Sequence, residues 1–418
     1  MRVSTAFSRL LRLEGVWVRG VRFEPDRVVV RVALRRRRLV CPECSFSTPH
    51  RHDIRPVLSA WRHLDLGVWR LEIRAQLRRL SCPVHGVRTE GVPFARMGSD
   101  FTKDFERLVA YLASRTDKST ICRLVRINWR TVGRIIERVS RDELDPRRLD
   151  ELFDIGIDEV SWRKQHRYLT LVCDHQRRKV VWGTEGAGEK AADEFFGELG
   201  AERSAELRAI SMDMGPGYAK SARKKEHAPQ ATICIDSYHV VALATKALDE
   251  VRRDYWNELR TLGDQQAARR FKDARWALLK NPENLTAKQA VTYRKLKRAG
   301  GRVWRAYTLK EALRAIFTAG LDLDDVTVLI DRFISRATRS RLEPFVRLAK
   351  TITKHREGIL AAIRLGITQG RTEALNNKVR LITRRAYGFH SAKAALALVL
   401  LTCGPIDLTL PHEFHLHP

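Results

Sequence analysis

Hydrophobic and polar residues alternate in short runs near the start of the chain. Residues 16–23, 27–34 and 68–75 follow this pattern, which predicts β-strands because successive side chains of a strand point to opposite faces. From residue 96 onwards the apolar positions fall three or four apart, as in residues 101–112. That spacing places them on one face of a helix. The pattern therefore predicts a β-rich start followed by a helical segment.

A mixed sheet is predicted in the middle of the chain, from residue 151 onwards. Three apolar runs suit antiparallel pairing, and the strand, helix and strand that follow them suit parallel pairing. The predicted strands are residues 155–162, 168–174, 179–185, 207–213 and 231–236, and the predicted helices are residues 188–199 and 217–227. From residue 240 to about 369 the pattern is almost purely helical. That stretch is too long for a loop, so it must form a helical region of its own.

The charge of the chain indicates which class of molecule it binds. The chain has 418 residues, with 78 Lys and Arg against 49 Asp and Glu, so its formal net charge is +29. Hydrophobic residues make up 44%, as in a folded protein. An excess of this size predicts a polyanion, because each Lys or Arg placed on a phosphate releases a bound counterion. General arginine enrichment without such a partner is the alternative.

Membrane and secreted proteins are excluded by the same inspection. No apolar run reaches the roughly 20 residues that a membrane-spanning helix needs. The first residues lead into Arg-rich sequence without the apolar core of a signal peptide. We therefore expect a cytoplasmic protein.

Four potential metal ligands form two pairs of identical spacing. Cys41 and Cys44 are separated by two residues, and so are Cys82 and His85. This spacing lets both side chains of a pair reach one tetrahedral ion, and four such ligands close a structural zinc site. We predict a small zinc ribbon whose folding depends largely on the metal. An ordinary surface role for His85 is the alternative.

Two short helices, residues 119–125 and 131–139, are joined by a tight turn, which is typical of a helix-turn-helix. Arg130, Arg134 and Arg138 are four residues apart and share one face of the second helix. Together with the net charge, this face is predicted to bind DNA. An ordinary three-helix unit with solvated arginines would give the same pattern.

Three carboxylates lie at positions that suggest metal binding. Asp158 falls inside an apolar strand, Asp213 ends the fourth strand of the mixed sheet, and Glu373 lies near the start of a helix. An acid in a buried strand is costly unless it is paired or binds a metal. Three oxygen donors in one pocket suit a pair of Mg²⁺ ions about 3.5–4 Å apart. Taken singly, each acid has a structural explanation, since an Asp at a strand end is often a cap.

Several motifs occur in a characteristic order. Residues 157–159 (Ile-Asp-Glu) and 211–218 are followed by residues 235–240, 370–378 and 384–388, and they are preceded by the first Cys pair, residues 61–65 and the predicted helix-turn-helix. In this order the chain resembles the DDE transposases of the insertion-sequence family ISL3 over nearly its whole length. His85 is a departure, because Cys is the commoner ligand there, but three Cys and one His form an accepted zinc set.

The resemblance implies an RNase H-like mixed α/β catalytic domain with an inserted helical region. The predicted fold is therefore α+β and multidomain. The predicted domains are a zinc ribbon (1–95), a helix-turn-helix (96–150), the catalytic domain (151–240 and 351–405) and the helical insertion (241–350).

The resemblance also implies roles for single residues. Asp158, Asp213 and Glu373 take the catalytic, Mg²⁺-binding positions. Asp236 and His239 form an Asp-x-x-His motif, which we interpret as a supporting pair near the pocket. Asp236 as the second catalytic acid is the rival assignment; strand order favours Asp213, because it precedes the helix.

The helix after Glu373 carries a polar face. Glu373, Asn377, Arg380 and Arg384 follow steps of four, three and four residues, so they share one side of the helix. We predict that Asn377, Arg380 and Arg384 contact the DNA backbone, where phosphate contacts fix position without reading sequence.

The function implied is that of a DNA transposase. It would bind the terminal inverted repeats of an insertion sequence and catalyse metal-dependent cleavage and strand transfer on double-stranded transposon ends and target DNA, using two Mg²⁺ ions and a structural Zn²⁺. Pairing of two ends implies a homodimer or higher oligomer associated with the bacterial nucleoid. The alternatives are a catalytically inactive zinc-ribbon and helix-turn-helix regulator, and a nuclease that cuts without joining.

Overall fold

The computed structural model of the chain describes residues 1–44, 46–163, 167–367, 370–386 and 389–413, with the side chains of residues 370–374 and 376 outside the description. The chain forms two compact units. The first contains Met1–Asp145 and Ile382–Pro418, and the second contains Pro146–Leu381. Each unit has an apolar core of its own.

The N-terminal region begins with a helix that the sequence pattern does not predict, followed by short strands. The elements are α1 (Val3–Leu11), β1 (Val16–Phe23), β2 (Arg27–Leu34), β3 (Leu39–Val40), β4 (Ser47–Thr48), β5 (Asp53–Ile54), β6 (Ser59–Leu66), β7 (Trp69–Ala75), β8 (Arg78–Cys82) and β9 (Gly86–Thr89). A four-stranded sheet has the order β1-β2-β7-β6, with β2 and β7 parallel. Val28, Val30, Leu71 and Ile73 pack with Phe7 of α1 in a buried core. This core is larger than a ribbon supported mainly by metal would have.

Two smaller sheets carry the Cys and His pairs. β3 pairs with β4, and β5, β8 and β9 form a three-stranded sheet. Leu39 and Leu80 are fully buried here and pack with Cys41 and Cys82. The predicted ligand pairs therefore come together at the ends of short strands.

The predicted helix-turn-helix consists of α2 (Lys103–Arg115), α3 (Lys118–Val125) and α4 (Trp129–Glu143). The three helices begin after Thr102, Asp117 and Asn128, whose side chains accept hydrogen bonds from backbone N–H groups of the first turn. α3 ends at Arg126, which adopts the left-handed conformation with a φ of 56°. That conformation ends the helix sharply and allows the tight turn into α4.

The second unit contains the mixed sheet that the sequence predicts. Its elements are β10 (Asp154–Arg163), β11 (Arg167–Asp174), β12 (Lys179–Glu185), α5 (Glu189–Leu199), α6 (Ala201–Ala205), β13 (Ala209–Met212), α7 (Pro216–Ala222) and β14 (Thr232–Ile235). The strand order is β12-β11-β10-β13-β14. The first three strands are antiparallel to their neighbours, and β13 and β14 run parallel to β10. Both parts of the predicted arrangement are confirmed.

Helices follow the sheet, as the sequence predicts. They are α8 (Ser237–Thr261), α9 (Gln265–Asp273), α10 (Arg275–Leu279), a short 3-10 helix (Pro282–Asn284), α11 (Ala287–Ala299), α12 (Gly301–Thr318), α13 (Leu323–Thr338) and α14 (Glu343–Arg364). α12 and α14 pack on α8, and α14 also packs on β14. Ile155 and Ile235 of the sheet share one apolar core with Leu248, Leu313 and Ile352 of these helices. The helical region is therefore fused to the sheet through a common core.

The last helices are α15 (Gly370–Arg385) and α16 (Ala392–Cys403). The boundary between the two units falls within α15. α16 packs on α2 and α4 through buried residues such as Ala395 and Val399. The contacts thus group α16 with α2 and α4, and the predicted bounds of the catalytic domain stay a prediction.

Among the helices that the structure describes, none combines the length and the apolar character that crossing a membrane requires.

Candidate functional site

Asp158 and Asp213, two of the predicted catalytic acids, lie on neighbouring strands of the mixed sheet. β10 and β13 run parallel, and their last pair is Gly156 with Ser211. Asp158 comes two residues after Gly156, and Asp213 comes two residues after Ser211. Continued in the same register, the two acids stand opposite each other. Neighbouring strands are about 4.8 Å apart, and residues at matching positions point to the same face. The register therefore places these two acids on the same face of adjacent strands.

Local hydrogen bonds orient both carboxylates. Oδ1 of Asp158 accepts a hydrogen bond from the backbone N–H of Glu159 at 2.7 Å, and Oδ1 of Asp213 accepts one from Gly215 at 2.9 Å. A Cβ placed on Gly215 would lie 2.8 Å from Oδ1 of Asp213. The glycine after Asp213 thus leaves room for its carboxylate, and both side chains remain partly exposed.

Asp236 and His239 lie next to Asp213. Asp236 comes directly after β14, whose last pair with β13 is Ile235 with Met212, so it follows in the same register as Asp213. Its Oδ1 accepts a hydrogen bond from the backbone of the first turn of α8, and Oδ2 lies 3.7 Å from Nε2 of His239. Asp236 and His239 are therefore neighbours, and their supporting role stays a prediction. Its helix-capping bond also gives Asp236 a structural role, and the choice of Asp213 over Asp236 as second acid stays a prediction.

A buried tyrosine holds Glu159, which follows Asp158 in β10 and points to the opposite face of the sheet. The hydroxyl of Tyr218 donates a hydrogen bond to Oε1 of Glu159 at 2.7 Å and lies 3.0 Å from the hydroxyl of Thr170. Burial raises the pKa of Tyr218 above its ordinary value, and the bond to Glu159 acts in the same direction. Tyr218 therefore stays a hydrogen-bond donor and links α7 to β10.

Glu373, the third predicted acid, belongs to α15, but its side chain lies outside the described residues. On the same helix Asn377, Arg380 and Arg384 are exposed. Nη1 of Arg380 donates a hydrogen bond to Oδ1 of Asn377 at 3.3 Å. The polar face of the helix is present, and its contact with DNA stays a prediction.

A cavity of about 650 Å³ opens beside Asp213. It is lined by Lys220 of α7, by Arg223 directly after α7, and by Lys354 and His355 of α14. The sequence analysis did not single out these residues, since they come from two helices far apart along the chain. The sequence offered one signal for them, their basic side chains. That signal did not distinguish them, because basic residues are common throughout this sequence.

The predicted ligands Cys41, Cys44, Cys82 and His85 converge. Nδ1 of His85 lies 3.6 Å from the sulfurs of Cys41 and Cys82, the sulfurs of Cys44 and Cys82 are 3.6 Å apart, and the four ligand atoms all lie within 4.8 Å of one another. A tetrahedral ion bound at about 2.0–2.3 Å separates its ligands by roughly 3.3–3.8 Å. Burial opposes ionisation, but hydrogen bonds from the backbone of His85 and Val84 lower the pKa of Cys82 to about 6. The cluster could hold a metal ion.

The predicted DNA-binding face of α4 is partly committed to the fold. Arg130 and Arg134 are exposed. Arg138 bonds through Nε to Oε1 of Glu106 at 2.7 Å, and the fully buried Glu106 also accepts a bond from Arg96 at 2.8 Å. This ion pair ties α4 to α2, so the exposed cations of the predicted face are Arg130 and Arg134.

The sequence is similar to known families and proteins. Residues 155–398 match a family model described as a transposase, and residues 90–140 match the helix-turn-helix domain of transposase family ISL3. The transposase for insertion sequence element IS1557 of Mycobacterium tuberculosis is 39% identical over 431 aligned positions, which cover 96% of this chain and 95% of the relative. The transposase for insertion sequence element IS1001 of Bordetella parapertussis is 27% identical over 353 positions, covering 84% and 85%.

Proposed function

We propose that this chain, which belongs to the ISL3 family of transposases, cuts and joins DNA at two Mg²⁺ ions held by Asp158, Asp213 and Glu373. Its function is DNA transposition by strand cleavage and strand transfer. The observation that carries the metal assignment is the shared register of Asp158 and Asp213 on adjacent parallel strands. Divalent ions there would stabilise the entering and leaving oxygens of a phosphodiester displacement.

The residues present fit such ions. Carboxylate oxygens are the ligands that Mg²⁺ prefers, and Asp158 and Asp213 are partly exposed at the ends of their pairing. Backbone N–H groups hold one oxygen of each acid in place, which fixes the orientation before substrate arrives. The chain's own contribution is thus a rigid set of oxygen donors.

The fold we propose for the catalytic part is RNase H-like. The order β12-β11-β10-β13-β14, with an antiparallel half and a parallel half, supports it, as does the family match over residues 155–398. α8 to α14 lie between Asp213 and Glu373 in the chain, as expected of a helical region inserted between the second and third acids.

DNA binding belongs to the N-terminal elements in this proposal. α4 presents Arg130 and Arg134 to the terminal inverted repeats, in the manner of a recognition helix. Zn²⁺ bound by the Cys and His cluster would hold the small sheets in shape. Asn377, Arg380 and Arg384 of α15 would contact phosphates beyond Glu373.

Two transposon ends have to be brought together for strand transfer to a target. We therefore propose a homodimer or larger assembly on double-stranded DNA. Its place of action is the nucleoid in the bacterial cytoplasm.

The test is the Asp213→Asn protein. Loss of one metal-binding carboxylate should lower the rate of strand cleavage by roughly 10³-fold or more, while a gel shift with transposon-end DNA stays unchanged, because the DNA-binding elements are intact. Asp324→Asn, on the exposed surface of α13, is the control and should cut normally.

Asp236→Asn distinguishes the rival assignment. If Asp213→Asn still cuts DNA and Asp236→Asn does not, Asp236 is the second acid. If both variants and the Glu373→Gln protein cut at the normal rate, the three acids do not form the catalytic site.

A further inference from the structure

The cavity beside Asp213 is larger than an ion requires. Its volume of about 650 Å³ lies within the range of about 300–1,000 Å³ that is usual for small-ligand sites. Part of its wall is apolar and is formed by Ala219, Ala231, Ile235 and Ala361. A wall of this kind accepts a flat aromatic group, as pockets for nucleobases do.

Positive charge lines the rest of the cavity. Arg223, Lys354 and His355 contribute to its wall, and in the described part of the chain none of them pairs with a carboxylate. The pKa of His355 is lowered, first by burial and then by Lys354 and Arg223, whereas Asp213 acts in the opposite direction. His355 therefore lies among these cations and close to the proposed catalytic acid. The cations Arg223 and Lys354 fit a phosphate, and a neutral His355 can donate a ring N–H to one of its oxygens.

Helix α14 forms one side of the cavity and approaches β14 closely. A Cβ on Gly358 would lie 2.8 Å from Cγ1 of Ile235, so glycine is what allows this approach. The acid on this wall, Glu357, accepts a hydrogen bond from Arg356 at 2.9 Å. Arg356 also pairs with Asp331 through two hydrogen bonds at 2.9 Å, so it balances Glu357 only in part. The side chain of Glu357 is 82% exposed, and solvent and salt screen its charge.

We propose that this cavity binds one nucleotide of the transposon end, turned out of the duplex next to the phosphodiester bond that is cut. The phosphate of that nucleotide lies against Arg223, Lys354 and His355, and its base lies against the apolar wall. The inference rests on the proposed function, because it takes Asp213 to lie at the cleaved bond. A phosphate alone would satisfy the cations but leave the apolar wall in contact with water; a nucleotide covers both.

The experiment uses full-length Asp213→Asn protein, which should bind end DNA without cutting it. Duplexes carry 2-aminopurine at single positions on either side of the cleaved bond. This base fluoresces weakly when stacked, so a nucleotide turned into the cavity should give a rise of roughly two-fold or more at one position.

Three further substitutions in the same protein locate the effect. Ala219→Leu fills the cavity and should abolish the rise, and Arg223→Gln should reduce it. Lys225→Gln changes a neighbouring exposed cation outside the cavity and should leave it unchanged. Gel shifts with the same duplexes show whether each variant still binds DNA; if Ala219→Leu does not fold, the exposed Arg223→Gln decides.

The proposal is overturned if the fluorescence does not rise at any position near the cleaved bond. It is also overturned if Ala219→Leu and Arg223→Gln leave the rise as large as it is without them. Cleavage by the unmodified protein is measured separately on the same DNA. If that protein cuts and Asp213→Asn does not, the proposed function holds whatever the fluorescence shows.

Discussion

Gly358 shows how one residue can set the spacing of a site. It lies in the middle of α14, where a Cβ would come within 2.8 Å of Cγ1 of Ile235 and 3.2 Å of the carbonyl oxygen of Ile233. Glycine inside a helix normally destabilises it by about 0.5–1 kcal/mol relative to alanine. Here the close approach to β14 outweighs that preference.

Gly358→Ala should therefore destabilise the second unit by about 1 kcal/mol or more, since overpacking costs typically 1–3 kcal/mol. Gly197→Ala is the matched control: Gly197 lies in α5, and a Cβ there meets nothing within 4 Å. That variant should be slightly more stable than the unmodified protein. Urea unfolding of both variants measures the change in the free energy of unfolding. A Gly358→Ala protein that is more stable than the unmodified protein would contradict the close packing of α14 on β14.

His63 makes the first unit sensitive to pH. It is buried, and its Nδ1 lies 2.8 Å from Oγ1 of Thr102. Burial lowers its pKa below the ordinary 6.5, and the charge of Asp104 acts in the opposite direction. As the pH falls below about 6.5, the unfolded chain binds the proton first, so the native state loses stability. Above that pH His63 makes no pH-dependent contribution.

Unfolding of the first unit at about pH 7.5 and about pH 5.5 tests this expectation. The unmodified protein should lose up to about 1.4 kcal/mol more per pH unit below 6.5 than His63→Gln does. An equal loss in the two proteins would show that other groups cause the acid sensitivity.

At the scale of elements, the pairing of β10 with β13 determines which acidic residues lie on the same face of the sheet. Asp158 and Asp213 come together because β13 pairs with β10 in parallel and in a particular register. A slip of one residue would turn one of the acids to the opposite face of the sheet. The site therefore depends on the pairing of whole strands.

The stability of the two small sheets should depend on the bound metal. The stability of the four-stranded sheet should not, because that sheet has its own core of Val28, Val30, Leu71 and Ile73. In Cys44→Ser protein, or after chelation, amide exchange should speed up roughly ten-fold or more in residues 39–41 and 78–89. Exchange in β2 and β7 should stay slow, as mass spectrometry of peptides would show.

Cys122→Ser is the control for this experiment. Cys122 lies on α3 and does not belong to the cluster. The zinc content of purified Cys122→Ser protein should therefore equal that of the unmodified protein. Normal zinc content in Cys44→Ser would show that the cluster is not the metal site.

At the scale of the whole molecule, the net charge of +29 should appear as a steep dependence of DNA affinity on salt. Arg130→Ala and Arg134→Ala should each reduce the slope of log K against log salt concentration by about 1, as expected for one lost phosphate contact. Fluorescence anisotropy over a range of salt concentrations measures it.

Arg138→Ala separates a DNA contact from a structural one. Its bond to the buried Glu106 predicts lower stability of the first unit with an unchanged salt slope. A reduced slope without loss of stability would place Arg138 on DNA as well.

The periodicity of the sequence predicted the strands of the mixed sheet, the helix-turn-helix and the long helical stretch, because those patterns reflect which side of each element is buried. α1 was not predicted although its apolar residues share one face, because nine residues are fewer than the 11–18 over which helical periodicity is usually judged. The contacts group residues 382–405 with the first unit, whereas the transposase family model extends to residue 398. The predicted bounds of the catalytic domain therefore stay a prediction, because periodicity shows that α16 has an apolar face but not what covers it.

The sequence by itself determined the residue types and the spacing of the Cys and His pairs, since two ligands two residues apart need only a local turn to face one ion. It also determined which acids are available for metal. Only the tertiary structure decided that Asp213 lies beside Asp158, that Arg138 is held by Glu106, and that Arg223 and His355 share a cavity. The physical reason is that these contacts join elements distant along the chain, and they arise from strand register and helix packing, which local sequence does not encode.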